Sequence, residues 1–243
     1  MILRVEDLSV GKILHGVNFT VKRGEILVIA GESGSGKSTI LKAIGGLLDK
    51  KFSVGGKIIF DGRDITNLNV GQRRKLAGDE IGFIFQNAGA SFCPIRTIGD
   101  QIFESVRVHR DWDKKFFRER AFALITKINL APEVLDEYPF RLSGGMAQRA
   151  GILAAMILEP KLLLADEPTS ALDAVTQVSV VEELLKLKTS IVLVTHDLRV
   201  ARRMADKILI LRSGEVIEFG TRQQIFNEPS EPYTRELIEA AGL

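Results

Sequence analysis

The sequence predicts an α/β protein: a core with a mainly parallel sheet, an N-terminal antiparallel β subdomain and a helical subdomain inserted into that core. Three observations carry that prediction. Short continuous apolar runs at residues 27–30, 162–165, 191–194 and 208–211 read as strands buried on both faces, and helical stretches separate the last three. The first sixty residues instead alternate short β-rich runs with glycine turns, the pattern of hairpins. From about residue 97 to 129 the apolar residues recur at helical spacing.

Taken in order, runs 3–5, 17–21, 26–30 and 57–60 are the expected early strands, with hairpins arranged around the deeply buried Leu27-Val28-Ile29-Ala30. In the helical stretch Ile98, Ile102 and Val106 share one face, and Phe116, Phe117, Leu124 and Ile128 supply the next. After it the strand pattern returns. The economical division is one domain, with a core of about residues 1–86 and 157–243 and a helical insertion at about 87–156. No internal repeat, low-complexity segment or Pro-rich linker interrupts it.

A composition of 45% hydrophobic, 26% charged and 7% aromatic residues over 243 positions suits a soluble α/β protein and excludes a fibrous or membrane-spanning one. No apolar run approaches the roughly 20 residues that cross a bilayer. Met1-Ile2-Leu3-Arg4-Val5-Glu6 has an acidic residue inside its apolar stretch and no small-residue cleavage site, so it reads as a first strand and the expected location is cytoplasmic. Cys93 is the only cysteine, which rules out an intrachain disulfide or a cysteine cluster site; it is expected to be a small buried filler. A net charge of +2 gives no footprint for nucleic acid, and Arg73-Arg74-Lys75 and Arg202-Arg203 are expected to be solvated helix faces.

After the strand at 27–30 comes Gly31-Glu32-Ser33-Gly34-Ser35-Gly36-Lys37-Ser38-Thr39, which fits G-x-x-x-x-G-K-[ST], followed by the helical Ile40-Leu41-Lys42-Ala43-Ile44. Strand, loop and helix stand in the order a phosphate loop requires. The glycines let successive N–H groups and the positive end of the helix point at phosphates. Lys37 would reach the β- and γ-phosphates, and the Ser38 hydroxyl would ligate Mg²⁺. A chance match to the fixed positions occurs on the order of once in a hundred chains of this length, so nucleoside-triphosphate binding follows.

Leu162-Leu163-Leu164-Ala165-Asp166-Glu167-Pro168 is an apolar strand ending in adjacent carboxylates. Asp166 can hold Mg²⁺ through water, and Glu167 can align and polarise an attacking water. Alone, the pair would read as a solvated acidic turn. It is preceded by Leu142-Ser143-Gly144-Gly145-Met146-Ala147-Gln148-Arg149, and followed by Ser170-Ala171-Leu172-Asp173 and by His196 after the run at 191–194. This combination resembles the ATP-binding-cassette ATPases over essentially the whole chain.

The resemblance implies a use for each motif. Ser143, Gly144 and Gly145 would form a helix start that binds the γ-phosphate of ATP held by a second, facing ATPase subunit. Gln86, after Ile81-Gly82-Phe83-Ile84-Phe85, matches the glutamine that touches Mg²⁺ and links the site to the helical insertion. Asp173 matches a loop that crosses the dimer interface. A lone histidine is ordinarily structural, but in Val194-Thr195-His196-Asp197 a neutral imidazole would hydrogen-bond the γ-phosphate and keep the water and Glu167 in register. His15 and His109 have no such context. The catalytic residues implied are therefore Glu167, His196 and Gln86; the nucleotide-binding ones are residues 31–39 with Ser143, Gly144 and Gly145; the Mg²⁺ ligands are Ser38, Gln86 and Asp166.

Within the family, the phosphate loop, Tyr138-Pro139-Phe140-Arg141-Leu142-Ser143-Gly144-Gly145-Met146 and the tail Pro229-Ser230-Glu231-Pro232-Tyr233-Thr234-Arg235-Glu236-Leu237 resemble the oligopeptide, dipeptide and nickel importer branch. The tail also reads as an ordinary Pro-containing turn and an amphipathic helix. Ala147 departs from the arginine common in that branch, and the short tail favours compact nickel-type members. Implied partners are transmembrane permease subunits, a second ABC ATPase in a heterodimer and, indirectly, a substrate-binding protein, at the cytoplasmic side of the membrane. Phe92, Pro94 and Ile95 are candidate permease contacts that could equally pack internally. A GTPase switch would need an Asn-Lys-x-Asp motif, a ribosome- or DNA-associated cassette a second cassette, coiled coil or basic surface, and a non-catalytic sensor would lack Glu167 or His196. The family usually stacks adenine on an aromatic residue before the first hairpin turn; Leu8-Ser9-Val10-Gly11-Lys12-Ile13 has none, and Val10 stands nearest that place.

Overall fold

The computed structural model describes residues 1–49, 51–170 and 172–243; Ala171, in the Ser170-Ala171-Leu172-Asp173 stretch, lies outside the described residues. The chain opens with the hairpin β1 (Leu3–Val10) and β2 (Leu14–Val21), then β3 (Ile26–Ala30) and helix α1 (Lys37–Gly45). Next come β4 (Val54–Phe60), the short β5 (Arg63–Asp64), α2 (Val70–Leu76) and β6 (Ile81–Ile84). Before β7 (Leu162–Asp166) the described chain is helical, with α3 (Ile98–Arg107), α4 (Lys114–Lys127) and α5 (Gly144–Met156). The rest alternates: α6 (Ala174–Lys186), β8 (Ser190–Val194), α7 (Leu198–Met204), β9 (Lys207–Arg212), β10 (Glu215–Thr221), α8 (Arg222–Asn227) and α9 (Pro232–Ala240).

The strands form an antiparallel sheet in the order β2-β1-β4-β5 and a second sheet in the order β10-β9-β3-β8-β7-β6, parallel except for β10. The hairpins do not surround β3, as the sequence suggested; β3 lies in the second sheet. Its composition explains why. Ile26, Val28 and Ala30 enter a core shared with α3, α4, α5 and α6, whereas Leu27 and Ile29 enter a core shared with the antiparallel sheet and α1. β7, β8 and β9 divide their residues between the same two cores. A strand apolar at every position needs cover on both faces, and only the central sheet offers it.

The face expected of α3 is buried, with Ile98, Ile102 and Val106 almost wholly removed from solvent. α4 meets the expectation at Phe117, Leu124 and Ile128 and departs from it at Phe116. Its buried side is Phe117, Ala121 and Ile125, continued by Ile128, while Phe116 is exposed and packs edge-on against Trp112 at 5.0 Å. Arg73 is not a solvated residue: its guanidinium donates to the Ile44 carbonyl at 2.8 Å and to the Thr66 carbonyl at 3.2 Å, tying α2 to the end of α1. Cys93, expected inside, is exposed. It lies in an irregular turn whose backbone is held by the Gln101 amide at 2.7 and 3.1 Å, so no packing demand falls on its thiol.

Candidate active site

All the parallel strands deliver their C-terminal ends to one edge of the sheet, where open α/β sheets bind ligands. β3 runs into the loop at 31–36, β8 into His196, β7 into Asp166 and Glu167, and β6 towards Gln86. At Gly31 the backbone turns left-handed, with φ 144°, and a β-carbon there would lie 2.1 Å from the Leu211 carbonyl oxygen of β9. Only glycine lets the chain leave β3 so close to its neighbour.

The loop ends at the start of α1, and there the sequence withholds a cap. α3, α4, α5, α6 and α7 begin on Thr97, Asp113, Ser143, Asp173 and Asp197, whose side chains accept from first-turn N–H groups. α1 begins after Gly36 with no side-chain acceptor. Its uncapped N–H groups and dipole face the loop, an arrangement suited to an anion. Lys37, buried beneath the loop, donates to the carbonyls of Gly31 at 2.8 Å and Glu32 at 2.6 Å. Burial holds its ammonium below the ordinary lysine value, although Glu167, Asp166 and Glu32 pull the other way.

The Ser38 hydroxyl donates to Asp166 Oδ1 at 2.7 Å, joining the phosphate loop to the end of β7. One residue on, Glu167 takes a left-handed backbone, φ 48°, uncommon for a non-glycine residue. Its N–H donates to the Val194 carbonyl at 3.0 Å, and its Oε1 lies 2.9 Å from His196 Nδ1. The other oxygen, Oε2, is buried without a partner. The kink at Glu167 separates the two carboxylates. Gln86, Lys37, Ser38, Thr39, Glu167 and His196 line one cavity of about 240 Å³ with Ser33, Gly34 and Gly36 of the loop.

With this cradle in view, the similarities to known proteins fall into place. The "ABC transporter" family description matches residues 14–170. The chain belongs to the ABC transporter family. It is 40% identical to the dipeptide transport ATP-binding protein DppD of Escherichia coli over 254 aligned positions, covering 98% of this chain and 78% of that one. The metal-staphylopine import system ATP-binding protein CntD of Staphylococcus aureus is 38% identical over 232, covering 93% and 86%. The oligopeptide transport ATP-binding protein AppD of Bacillus subtilis is 41% identical over 236, covering 93% and 71%. Its fold superposes on the dimeric, post-hydrolysis structure of the ATP-binding cassette MJ0796 bound to ADP and Pi with a TM-score of 0.81 at 30% identity, covering 90% of this chain and 98% of that one.

In this ABC ATPase Ser143, Gly144, Gly145, Asp173 and Val10 lie outside the cavity. Ser143 and Gly144 are exposed at the start of α5, where the Ser143 hydroxyl accepts from the Met146 N–H at 3.3 Å. Gly145 has a local duty: a β-carbon there would come 2.8 Å from Thr176 Cγ2, so glycine lets α5 approach α6. Asp173 caps α6 through the N–H groups of Val175 and Thr176 at 3.1 and 3.0 Å; its bond to the Thr176 hydroxyl, chiefly, holds its carboxyl below the ordinary range. Val10 is wholly buried at the end of β1 and cannot meet a base. The residue at the mouth of the cavity is Ile13, in the turn before β2. Only its place in the turn signals this; as an aliphatic residue it looks like core.

Proposed function

We propose that this chain is the ATP-hydrolysing subunit of an importer for peptides or metal complexes, working on the cytoplasmic face of the membrane. The observation that carries the reading is the convergence of Lys37, Ser38, Asp166, Glu167, Gln86 and His196 from four strand ends on one site. The kinship to DppD, AppD and CntD supports the cargo classes, and nickel remains within the metal class. No described helix is long and apolar enough to cross a membrane, so attachment to the bilayer would come through permease subunits.

Mg²⁺ fits the donor set. Ser38 and Asp166 hold two oxygens together, Gln86 adds an amide, and hard oxygen donors suit that ion. When bound it would neutralise charge on the β- and γ-phosphates. The loop N–H groups and Lys37 would bind the triphosphate, for which Lys37 must leave the carbonyls of Gly31 and Glu32. Glu167, with one oxygen on His196 and the other free, would accept a proton from the attacking water. Against an ionised Glu167, His196 Nδ1 carries the proton, and the neutral ring's Nε2 is an acceptor that can orient water. Donation to the γ-phosphate would require the imidazolium, or loss of the Glu167 contact.

Residues 87–156 form the helical unit of the cassette in this reading. A groove of about 470 Å³ between it and the sheet is lined by Leu47, Phe83, Phe85, Phe92 and His109. Phe83 and Phe85 stack at 4.4 Å and lead directly to Gln86. We assign its occupant as a short permease helix, because Phe85 is exposed while its chain neighbour lines the site. Phe92 packs partly into the core, whereas Pro94 and Ile95 are exposed beside it. Ser143, Gly144 and Gly145 would complete a second ATPase's site, the partner being a different but related chain.

Two measurements test this. Glu167→Gln should keep ATP binding and lower turnover by about 10²–10⁴-fold, the scale of a general base; near-normal hydrolysis would remove Glu167 from its role. Affinity purification from solubilised membranes should recover two hydrophobic permease chains, and deletion of the chain should abolish uptake of a dipeptide or of a metal chelate. Recovery of ribosomes or DNA instead would sink the transport reading.

A further inference from the structure

The side chain of His196 is 61% exposed, and among the described residues its ring makes one hydrogen bond, to Glu167. Packing does little to hold such a ring, so the backbone that carries it must. Behind it, Thr195 is buried and its N–H donates to the Ile29 carbonyl of β3 at 3.2 Å. Ahead of it, Asp197 starts α7: its N–H donates to the Thr195 hydroxyl at 3.0 Å, and its Oδ1 accepts from the Arg199 N–H at 2.8 Å. The second oxygen of Asp197 is taken by a different helix. Oδ2 accepts from the side-chain amide of Gln177 in α6 at 2.9 Å.

Gln177 lies in the first turn of α6, where its own N–H donates to the carbonyl of Asp173, the capping residue, at 2.8 Å. A carboxylate only accepts hydrogen bonds, so the amide must turn its nitrogen to Asp197. Beyond this bond the two helices leave a groove of about 350 Å³ between them, lined by Val178, Val181 and Val200. Further along, Arg203 of α7 donates to Glu182 of α6 at 2.9 Å. With the seam open between these two ties, the amide bond is what joins the first turn of α6 to the residue after His196.

We propose that Gln177 is a positioning residue for His196, tying the histidine through Asp197 to the first turn of α6. The proposal rests on the reading of Glu167 and His196 as the pair that handles the attacking water. Asp197 is held by α7 through one oxygen and by α6 through the other, so the backbone at His196 is pinned between β3 and two helices. Releasing the α6 side lets Asp197 shift with α7. The 2.9 Å contact from His196 Nδ1 to Glu167 tolerates little of that shift before it ceases to be a hydrogen bond. Gln177 acts on the chemical step and not on ATP binding, because neither α6 nor α7 belongs to the phosphate loop.

The test compares the full chain with Gln177→Leu, Gln177→Glu, Gln177→Glu combined with Asp197→Asn, and His196→Ala. Steady-state hydrolysis of Mg²⁺–ATP at one protein concentration, ATP titration, thermal unfolding and histidine NMR are the readouts. Gln177→Leu keeps the bulk and removes the donor at a half-buried site that water can reach, so ATP affinity and unfolding temperature should hold. kcat should fall about threefold to tenfold with KM unchanged, the scale of one hydrogen bond. The ring resonances of His196 should shift while those of His15 and His109 stay in place. Gln177→Glu sets two carboxylates against each other and should lower kcat at least as far. Adding Asp197→Asn restores the bond with its polarity reversed, since asparagine still caps α7 and turns its amide to the new carboxylate, and should recover most of the rate. Lost packing would not be rescued in this way. Unchanged kcat in Gln177→Leu, a loss shared by ATP affinity or unfolding temperature, unmoved His196 resonances, or no recovery in the paired exchange would each overturn the proposal. If His196→Ala turns over ATP like the wild type, the catalytic reading of the histidine fails first and takes its support with it; a slow His196→Ala beside a wild-type rate in Gln177→Leu sinks the support alone.

Discussion

Lys37 is a cation held in a place that penalises its charge until a phosphate arrives. Because burial depresses its pKa, the folded protein gives up this proton at a lower pH than the unfolded chain does. Between the depressed value and that of an ordinary lysine the unfolded state binds more protons, so the ligand-free protein gains stability as pH rises through that window. ATP needs the ammonium, so its affinity should fall across the same window. Denaturation and ATP titrations at alkaline pH should move in opposite directions; parallel trends would mean that Lys37 titrates normally. A second prediction concerns the base. Ile13→Tyr should tighten ATP binding by up to about tenfold, given that stacking on an aromatic ring is worth about 1–3 kcal/mol in nucleic-acid complexes. Val10→Tyr, by contrast, forces a large ring into a filled core and should cost about 1–3 kcal/mol of stability without any gain in affinity. Fluorescence titration and chemical denaturation of both variants separate these outcomes. The phosphate-loop residues were legible in the sequence because their chemistry dictates both type and spacing. Ile13, Arg73 and Cys93 were not, since an aliphatic, a basic and a small residue carry no mark of the neighbours that folding gives them.

At the level of elements, the two helices that begin at Ser143 and Asp173 behave as one body. Arg149 of α5 donates to both oxygens of Glu183 of α6 at 3.0 Å, and Asn129 and Ser179 bond the same carboxylate at 3.2 and 3.0 Å. Glu183 is wholly buried, so its charge is tolerable only while these partners remain. Arg149→Met should therefore cost about 3–5 kcal/mol, the usual result of stranding a buried charge, whereas Arg149→Met with Glu183→Leu should recover most of it. Urea denaturation decides this, and equal losses in the single and double variants would show that the pair is not what joins the helices. The lock was hidden in the sequence because its members lie 34 positions apart on two separately predicted helices. In α4 only Phe116 was misplaced, for a related reason. With Phe116 and Phe117 adjacent, apolarity alone fits either side of the helix, and only the packing of Ala121 and Ile125 against the core chooses.

For the whole molecule, the order β10-β9-β3-β8-β7-β6 explains why the site is compact. β8 lies between β3 and β7, so His196 emerges between the phosphate loop and the paired carboxylates. That order was not legible: each strand announces itself as buried, but apolar runs of similar length do not say which neighbours they choose. The exposed Ser143 and Gly144 stand apart from the cavity, with first-turn N–H groups at the surface and no part in this chain's own nucleotide site. Two such surfaces meeting face to face would give each ATP a cradle from one subunit and a helix start from the other, consistent with the dimeric cassette whose fold this chain shares. The expected consequence is kinetic. The purified chain should hydrolyse ATP slowly, with specific activity rising with protein concentration if it self-associates, and rising much further when a related partner ATPase is added. Ser143→Arg should bind ATP as the wild type does, because its own cradle is untouched, yet should abolish the rise by placing a bulky side chain where the partner's phosphate is to sit. The substitution removes one helix cap, worth about 1 kcal/mol, so the variant should remain folded. Full activity from the single chain, independent of its concentration and indifferent to Ser143→Arg, would mean that each cassette works alone and that the start of α5 has no phosphate to meet.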